Sequence, residues 1–334
     1  MVTTRPDSPR FAWSAASERI LGVSNEGNDR HHRIGGQAVI EGVMMRAPGA
    51  VATAVRRASG EIVVRRSPYR SLSERARFLK LPILRGAVVL IESLVLGMKA
   101  LVFSAEVASN EQEPEKKAPR TFSWDILGAV VLALVLGLGL FFYLPLMATE
   151  WLGIRGSILF NVVDGFFRIV VFLLYLWGIS RWQEMRRVFE YHGAEHKIIF
   201  TYESGEDVTV ENTRRFGTCH PRCGTSFLLV VMLVSVIVFV MLGRPESVGA
   251  RLLRLAFVPV IAGISYEIIR ASERSHGLMD RVIKSPGLWL QRWTTREPAD
   301  DQLEVALRAF REANGDEVAL RSFPEANGDE VERT

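Results

Sequence analysis

The sequence predicts a mainly α, polytopic helical membrane protein: about four transmembrane helices, an interfacial or re-entrant helix, and a small N-terminal β hairpin element. Three observations predict it. Hydrophobic residues make up 48 % of the 334, and they are gathered into blocks. The charged residues lie between those blocks. Four apolar runs, near 126–147, 157–180, 225–243 and 252–269, approach or reach the roughly 20 residues that a helix needs to cross a bilayer.

Composition removes several classes. Cys219 and Cys223 are the two cysteines of the chain, so no disulfide framework is expected. The net charge is only +4, and its arginine excess fits an anionic leaflet better than a specific nucleic acid. Arg5, Asp7, Arg10 and Glu18 precede any apolar run, so a cleavable signal peptide is not expected.

Residues 1–30 are polar and rich in small side chains, the composition of a disordered tail. Residues 31–78 read as a small cytoplasmic β element. Its Gly-rich stretch runs from Gly35 to Pro48, and two β-branched runs, 51–57 and 61–66, flank the Ser59-Gly60 turn as a hairpin. Residues 79–105 form an apolar helix with Arg85, Glu92 and Lys99 spaced seven apart on one stripe. As a span it would put two arginine-rich regions on opposite sides of the membrane, so an interfacial or re-entrant helix is expected. A linker, 110–120, leads into a membrane domain extending to residue 298.

In the first span Gly128, Gly137 and Gly139 are expected to allow close helix contacts. The second carries Asp164 and Arg168 at a self-pairing i,i+4 spacing. Pro259 breaks the fourth. Basic residues crowd the 181–224 loop and the segment after Ile269, whereas 149–156 and 244–251 hold few. The positive-inside bias therefore puts both termini and the central loop in the cytoplasm, with the protein multi-pass in the plasma (inner) membrane. Residues 299–334 read as an acidic C-terminal extension, with Glu-Ala-Asn-Gly-Asp-Glu-Val at 312–318 and again at 325–331.

The sharpest chemical signal is Tyr191-His192-Gly193-Ala194-Glu195-His196-Lys197. If the second span continues as helix through Phe200, His192 and His196 share a face, a spacing that grips one Zn²⁺. Glu195 beside them is then a catalytic general base. Helix-weakening Gly193 speaks against this, and incidental histidines on a polar helix are the plainer reading. Thr218-Cys219-His220-Pro221-Arg222-Cys223 follows at the entry to the third span. Cys223 and His220 are candidates to complete the metal shell. Cys223 also has readings as a buried structural thiol or a nucleophile. Glu267 is either a further ligand or an ion-pair partner of an arginine, and Glu41 is a weaker candidate of the same kind. Gly35-Gly36 lacks a following P-loop lysine, so phosphate cradling is discounted.

Five separated segments together resemble a known family. They are Gly35 to Arg46, Tyr191 to Lys197, His220 to Phe227, Tyr266-Glu267, and Pro286-Gly287-Leu288-Trp289-Leu290-Gln291. The resemblance is to the bacterial YqhQ-type family, which is of unknown function and labelled as candidate metal-dependent enzymes. It covers about residues 33–298 and implies a multi-span membrane protein without supplying a reaction. Cys219 falls outside the family pattern, so His220 and Cys223 rank above it.

The expected function is a zinc-dependent hydrolase at the cytosolic membrane face, acting on an amphiphile or a membrane-proximal peptide. The alternative is a non-catalytic scaffold or assembly factor with a structural metal or none. Transport ranks below both, because only Asp164 and Arg168 line a path.

Overall fold

The computed structural model describes residues 34–72, 77–109, 124–272 and 278–315. The expected N-terminal tail, the 110–120 linker and the second acidic repeat lie outside the described residues.

Four antiparallel strands come first: β1 (Gly35–Val39), β2 (Gly42–Ala47), β3 (Ala50–Arg56) and β4 (Ile62–Pro68), paired in sequence order. The hairpin expected around Ser59-Gly60 is β3–β4, in a register that faces Val55 with Val63. The Gly-rich stretch before it supplies β1 and β2, whose two-residue turn holds Glu41 at a left-handed φ of 51°.

Alternation along the strands serves two cores. Val43, Met45, Ala52 and Ala54 face one way, onto Tyr191, Ala194 and Ile198 of α5 (Gln183–Glu203) and onto Leu303, Leu307 and Phe310 of α11 (Asp300–Asn314). Val39, Met44, Val51 and Val55 face the other way, onto Ala100, Phe103 and Val107 of α1 (Leu84–Ser109). Residues 300–314 are therefore not part of an acidic extension. Their charges lie on one face of an amphipathic helix, and the opposite face is core.

Among the described residues, five helices are long and apolar enough to cross a membrane, where the sequence reading has four. The addition is α1, with mean hydropathy 2.0. It starts at Leu84, so Arg85 falls at its start and Glu106 in its last turn, leaving Glu92 and Lys99 to charge its body. The first expected span is α2 (Trp124–Leu138), continuous through a π-helical turn at Gly139–Tyr143 with α3 (Leu144–Trp151). The second is α4 (Ser157–Ile179) and the third α7 (Gly224–Leu242); α6 (Val210–Arg214) is a short turn between α5 and α7. The fourth is α8 (Val248–Ala256) followed by α9 (Val258–Ser272). Pro259 sits in the first turn of α9, where its missing N–H has no helical partner to lose. An amphipathic helix, α10 (Leu278–Thr294), leads to α11.

Glycines mark the crossings, though not those expected. Nothing lies within 4 Å of a Cβ built on Gly128, Gly137 or Gly139. Close approach occurs instead at Gly86 and Gly263, between α1 and α9, at Gly165 against Val236, and at Gly287 against Ser226. The second span also does not run on to Phe200. Trp182 is extended (ψ 131°), which ends one helix and starts α5.

Because Phe310 is 3 % exposed within the sheet core, Phe310→Ala is expected to cost about 3–5 kcal/mol. The midpoint of thermal unfolding in detergent should fall accordingly, and an unchanged midpoint would return residues 300–314 to the status of an appendage.

Candidate functional site

α5 carries His192 and His196 one turn apart, with ring centroids 4.4 Å from each other. Gly193 lies between them in mid-helix for a packing reason. A Cβ there would stand 2.0 Å from the Arg296 carbonyl oxygen. With glycine, the chain leaving α10 lies directly on α5, and the Arg296 N–H donates to the Phe189 carbonyl at 2.9 Å.

This contact sets one imidazole. His192 Nδ1 is 2.8 Å from the Thr294 carbonyl oxygen, and His196 Nδ1 is 2.5 Å from that of Thr218. A carbonyl only accepts, so each ring carries a proton on Nδ1 and has Nε2 as its remaining nitrogen. Such backbone partners are what orient metal-binding histidines. Burial holds the His196 pKa below the usual histidine range, with the Cys223 side chain the largest opposing influence.

Cys223 closes the group. It is the N-cap of α7, where its sulfur accepts the Thr225 N–H at 3.5 Å. Sγ is 3.3 Å from His192 Nε2, and one donor atom from each of His192, His196 and Cys223 lies within 4.8 Å of the others. Two imidazoles and a cysteine sulfur form a nitrogen–sulfur donor set of the kind that suits zinc.

Glu195 is not one of the converging donors. It is 5 % exposed and packed against β1, where Gly36 comes so close that a Cβ would stand 2.7 Å from Glu195 Cγ. Burial raises its pKa, while His192, His220 and a backbone hydrogen bond from Gly36 oppose the rise. Gly36 therefore makes room for a carboxylate, consistent with setting phosphate cradling aside.

The remaining candidates lie outside the converging donors, although the His220 ring centroid is 5.7 Å from that of His196. His220 Nε2 is 3.3 Å from Glu203, and its Nδ1 accepts the Arg222 N–H at 3.2 Å. Burial pushes the His220 pKa down to about 4, and the ring lies tilted against Phe200 with centroids 4.4 Å apart. Gln291 grips the His220 backbone from both sides, at 2.7 and 2.9 Å. His220 thus fixes the loop that delivers the Thr218 carbonyl. Glu267 pairs with Arg85 through two hydrogen bonds, one of 2.6 Å. Glu41 pairs with Arg187, at 2.5 Å to Nε, and docks the β1–β2 turn on α5. Cys219 is half-buried and not part of the group.

Sequence reasoning missed Thr218, Thr294 and Arg296, which act through their backbone and carry no side-chain signature. Gln291 did carry a signal, since it ends the Pro286–Gln291 segment.

A family model described as "Protein of unknown function (DUF1385)" matches residues 81–316. The chain is also 33 % identical over 292 residues to "Uncharacterized protein YqhQ" of Bacillus subtilis (strain 168), covering 83 % of this chain and 91 % of that one. No solved structure matches. With a family model matching more than half its length, and a relative 33 % identical over 83 % of it, the chain belongs to the DUF1385 family.

Proposed function

We propose that the protein is a membrane-bound, zinc-dependent hydrolase whose metal ligands are His192, His196 and Cys223. The observation that carries this reading is the convergence of their donor atoms within 4.8 Å, with both Nδ1 atoms already committed to backbone carbonyls. Three protein ligands leave a tetrahedral ion one open position, which is the mark of catalytic rather than structural sites. Zinc, when bound, supplies Lewis acidity and a water that deprotonates near neutral pH. The role of Glu195 is to accept and return a proton, and the pKa raised by its burial suits that task. Cys223 is the residue before a candidate span, so the substrate is an amphiphile or a peptide segment at the membrane surface. One observation favours a structural staple instead: His196 is only 2 % exposed.

The packing also supports an orientation. The sheet precedes, and α5 follows, three apolar elements (α1, α2–α3 and α4), yet sheet and α5 share one core. An even number of those elements must therefore cross. Arg244 donates to the Ile154 carbonyl at 3.2 Å and Arg251 to Glu150 at 2.8 Å, joining the turns that end α3 and α7 on the opposite face. α2–α3 and α4 then make one crossing hairpin, α7 and α8–α9 the other, and α1 is left with both ends on the sheet side. Contacts along α1 agree with this. Arg85 at its start pairs with Glu267, and Glu92 at its middle takes the Tyr69 hydroxyl at 3.0 Å. Ala100, Phe103 and Val107 near its end lie on the sheet. In this reading α1 lies in the plane of the near leaflet and offers Ile91, Leu94, Val95, Met98 and Leu101, all exposed, to lipid. The arginine bias makes that leaflet the cytoplasmic one of the inner membrane.

Two measurements test these readings. Elemental analysis of detergent-purified protein should find stoichiometric zinc in the wild type and none in the combined His192→Ala, His196→Ala variant; near-zero metal in both would remove the hydrolase. For orientation, Lys80→Cys and Ser109→Cys should both react with an impermeant maleimide from the cytoplasmic side, with peptide mapping locating the label. Labelling from opposite sides would make α1 a span.

A further inference from the structure

The hairpins enclose a second polar cluster, at the end of the bundle away from the sheet. Asn161, Asp164 and Arg168 lie on α4 and Arg254 on α8, joined by the α7 terminus at Gly243. Arg168 donates to Asp164 at 2.8 Å, the pairing expected from its i,i+4 spacing. Arg254 was not anticipated. It is 1 % exposed, donates to Asn161 Oδ1 and at 2.6 Å to the Gly243 carbonyl, and holds Nη1 3.8 Å from Asp164 Oδ2. The Phe239 ring lies 5.0 and 4.7 Å from the two guanidinium carbons.

The charges do not balance. Two guanidinium cations share one buried carboxylate. The nearest further acid, Glu150, is matched by Arg251 at 2.8 Å. Arg244, next outward, rests on the Ile154 carbonyl and the Phe160 ring and brings no negative charge. One positive charge is left inside the helices, where an uncompensated ion is costly. Atoms within the cluster are also unmatched: Arg254 Nη1, Arg168 Nε and Asp164 Oδ1 are buried without a hydrogen-bond partner among the described residues. Two unused donors beside an excess cation call for an acceptor carrying one negative charge. Burial this deep excludes a lipid headgroup and favours a small ion.

We infer that Arg168 and Arg254 form an internal binding site for a hydrated, chloride-sized monovalent anion, held between α4, α7 and α8. The anion accepts from Arg254 Nη1 and Arg168 Nε, and a water of its hydration shell donates to Asp164 Oδ1. The site is independent of the histidine–cysteine group and survives if that group binds no metal.

Thermal unfolding of the full-length protein in detergent tests it, titrating sodium chloride against sodium gluconate at constant ionic strength. The wild type should gain stability saturably with chloride and not with gluconate. Arg254→Gln should raise the half-saturating chloride about tenfold or more, since a hydrogen bond to a charged group is lost. Should that variant not fold, Arg168→Gln keeps the Asn161 and Gly243 bonds of Arg254 and gives the same comparison. No chloride-specific gain in the wild type overturns the site. So does an undiminished gain in the folded variant, which would place the ion elsewhere.

Discussion

The close approach of backbone to backbone at Gly193 underlies the arrangement around α5. The Arg296 carbonyl occupies space that any other residue's Cβ would need, at 2.0 Å. That seats the chain after α10 on α5, delivers the Thr294 carbonyl to His192, and lets Lys197 reach Glu297 at 2.5 Å. α11 follows directly and closes the sheet core. A glycine in mid-helix weakens the helix by about 1 kcal/mol. Here tertiary packing on both faces of α5 offsets that local loss, and the residue that counts against a helix locally is required for it globally.

A second glycine works the same way from the opposite side. Gly36 lets β1 lie against Glu195, so the two faces of α5 are each pressed by main chain, one at the carboxylate and one at the imidazoles. Rotation of α5 about its axis is blocked by both contacts. Glu41 reinforces them, reaching from the β1–β2 turn to Arg187 one turn before the histidine motif. The donor group is therefore held by rigid backbone rather than by long side chains, which is the condition for a preorganised site.

Much of this was legible in the sequence. Hydropathy marked the candidate spans, and i,i+4 spacing marked both the imidazole pair and Asp164–Arg168. The β3–β4 hairpin was legible from its turn. What was not legible shares one cause: it depends on residues distant in sequence. Thr218 and Thr294 contribute carbonyls, which every residue has. Arg254 looks like one more loop-flanking arginine until Asn161 and Gly243 are seen around it. The helix at 300–314 reads as an acidic tail because its apolar face has meaning only against the sheet. The same cause misassigned Gly128, Gly137 and Gly139, since a small residue allows a crossing without specifying one.

Polar chemistry in this fold is sorted by depth and by sign. On the sheet side, two imidazoles and a cysteine sulfur meet where α7 begins, beside a buried carboxylate. At the opposite end of the same helix, Gly243 accepts from Arg254 in a cluster with excess positive charge. α7 itself is uncharged from Gly224 to Leu242, so neither end is coupled to the other by a path of ionisable side chains along it. The separation fits the two proposals as local devices on one apolar strut: a candidate metal group where Cys223 caps its start, and a guanidinium cluster at its other end that ties α4 and α8 to it.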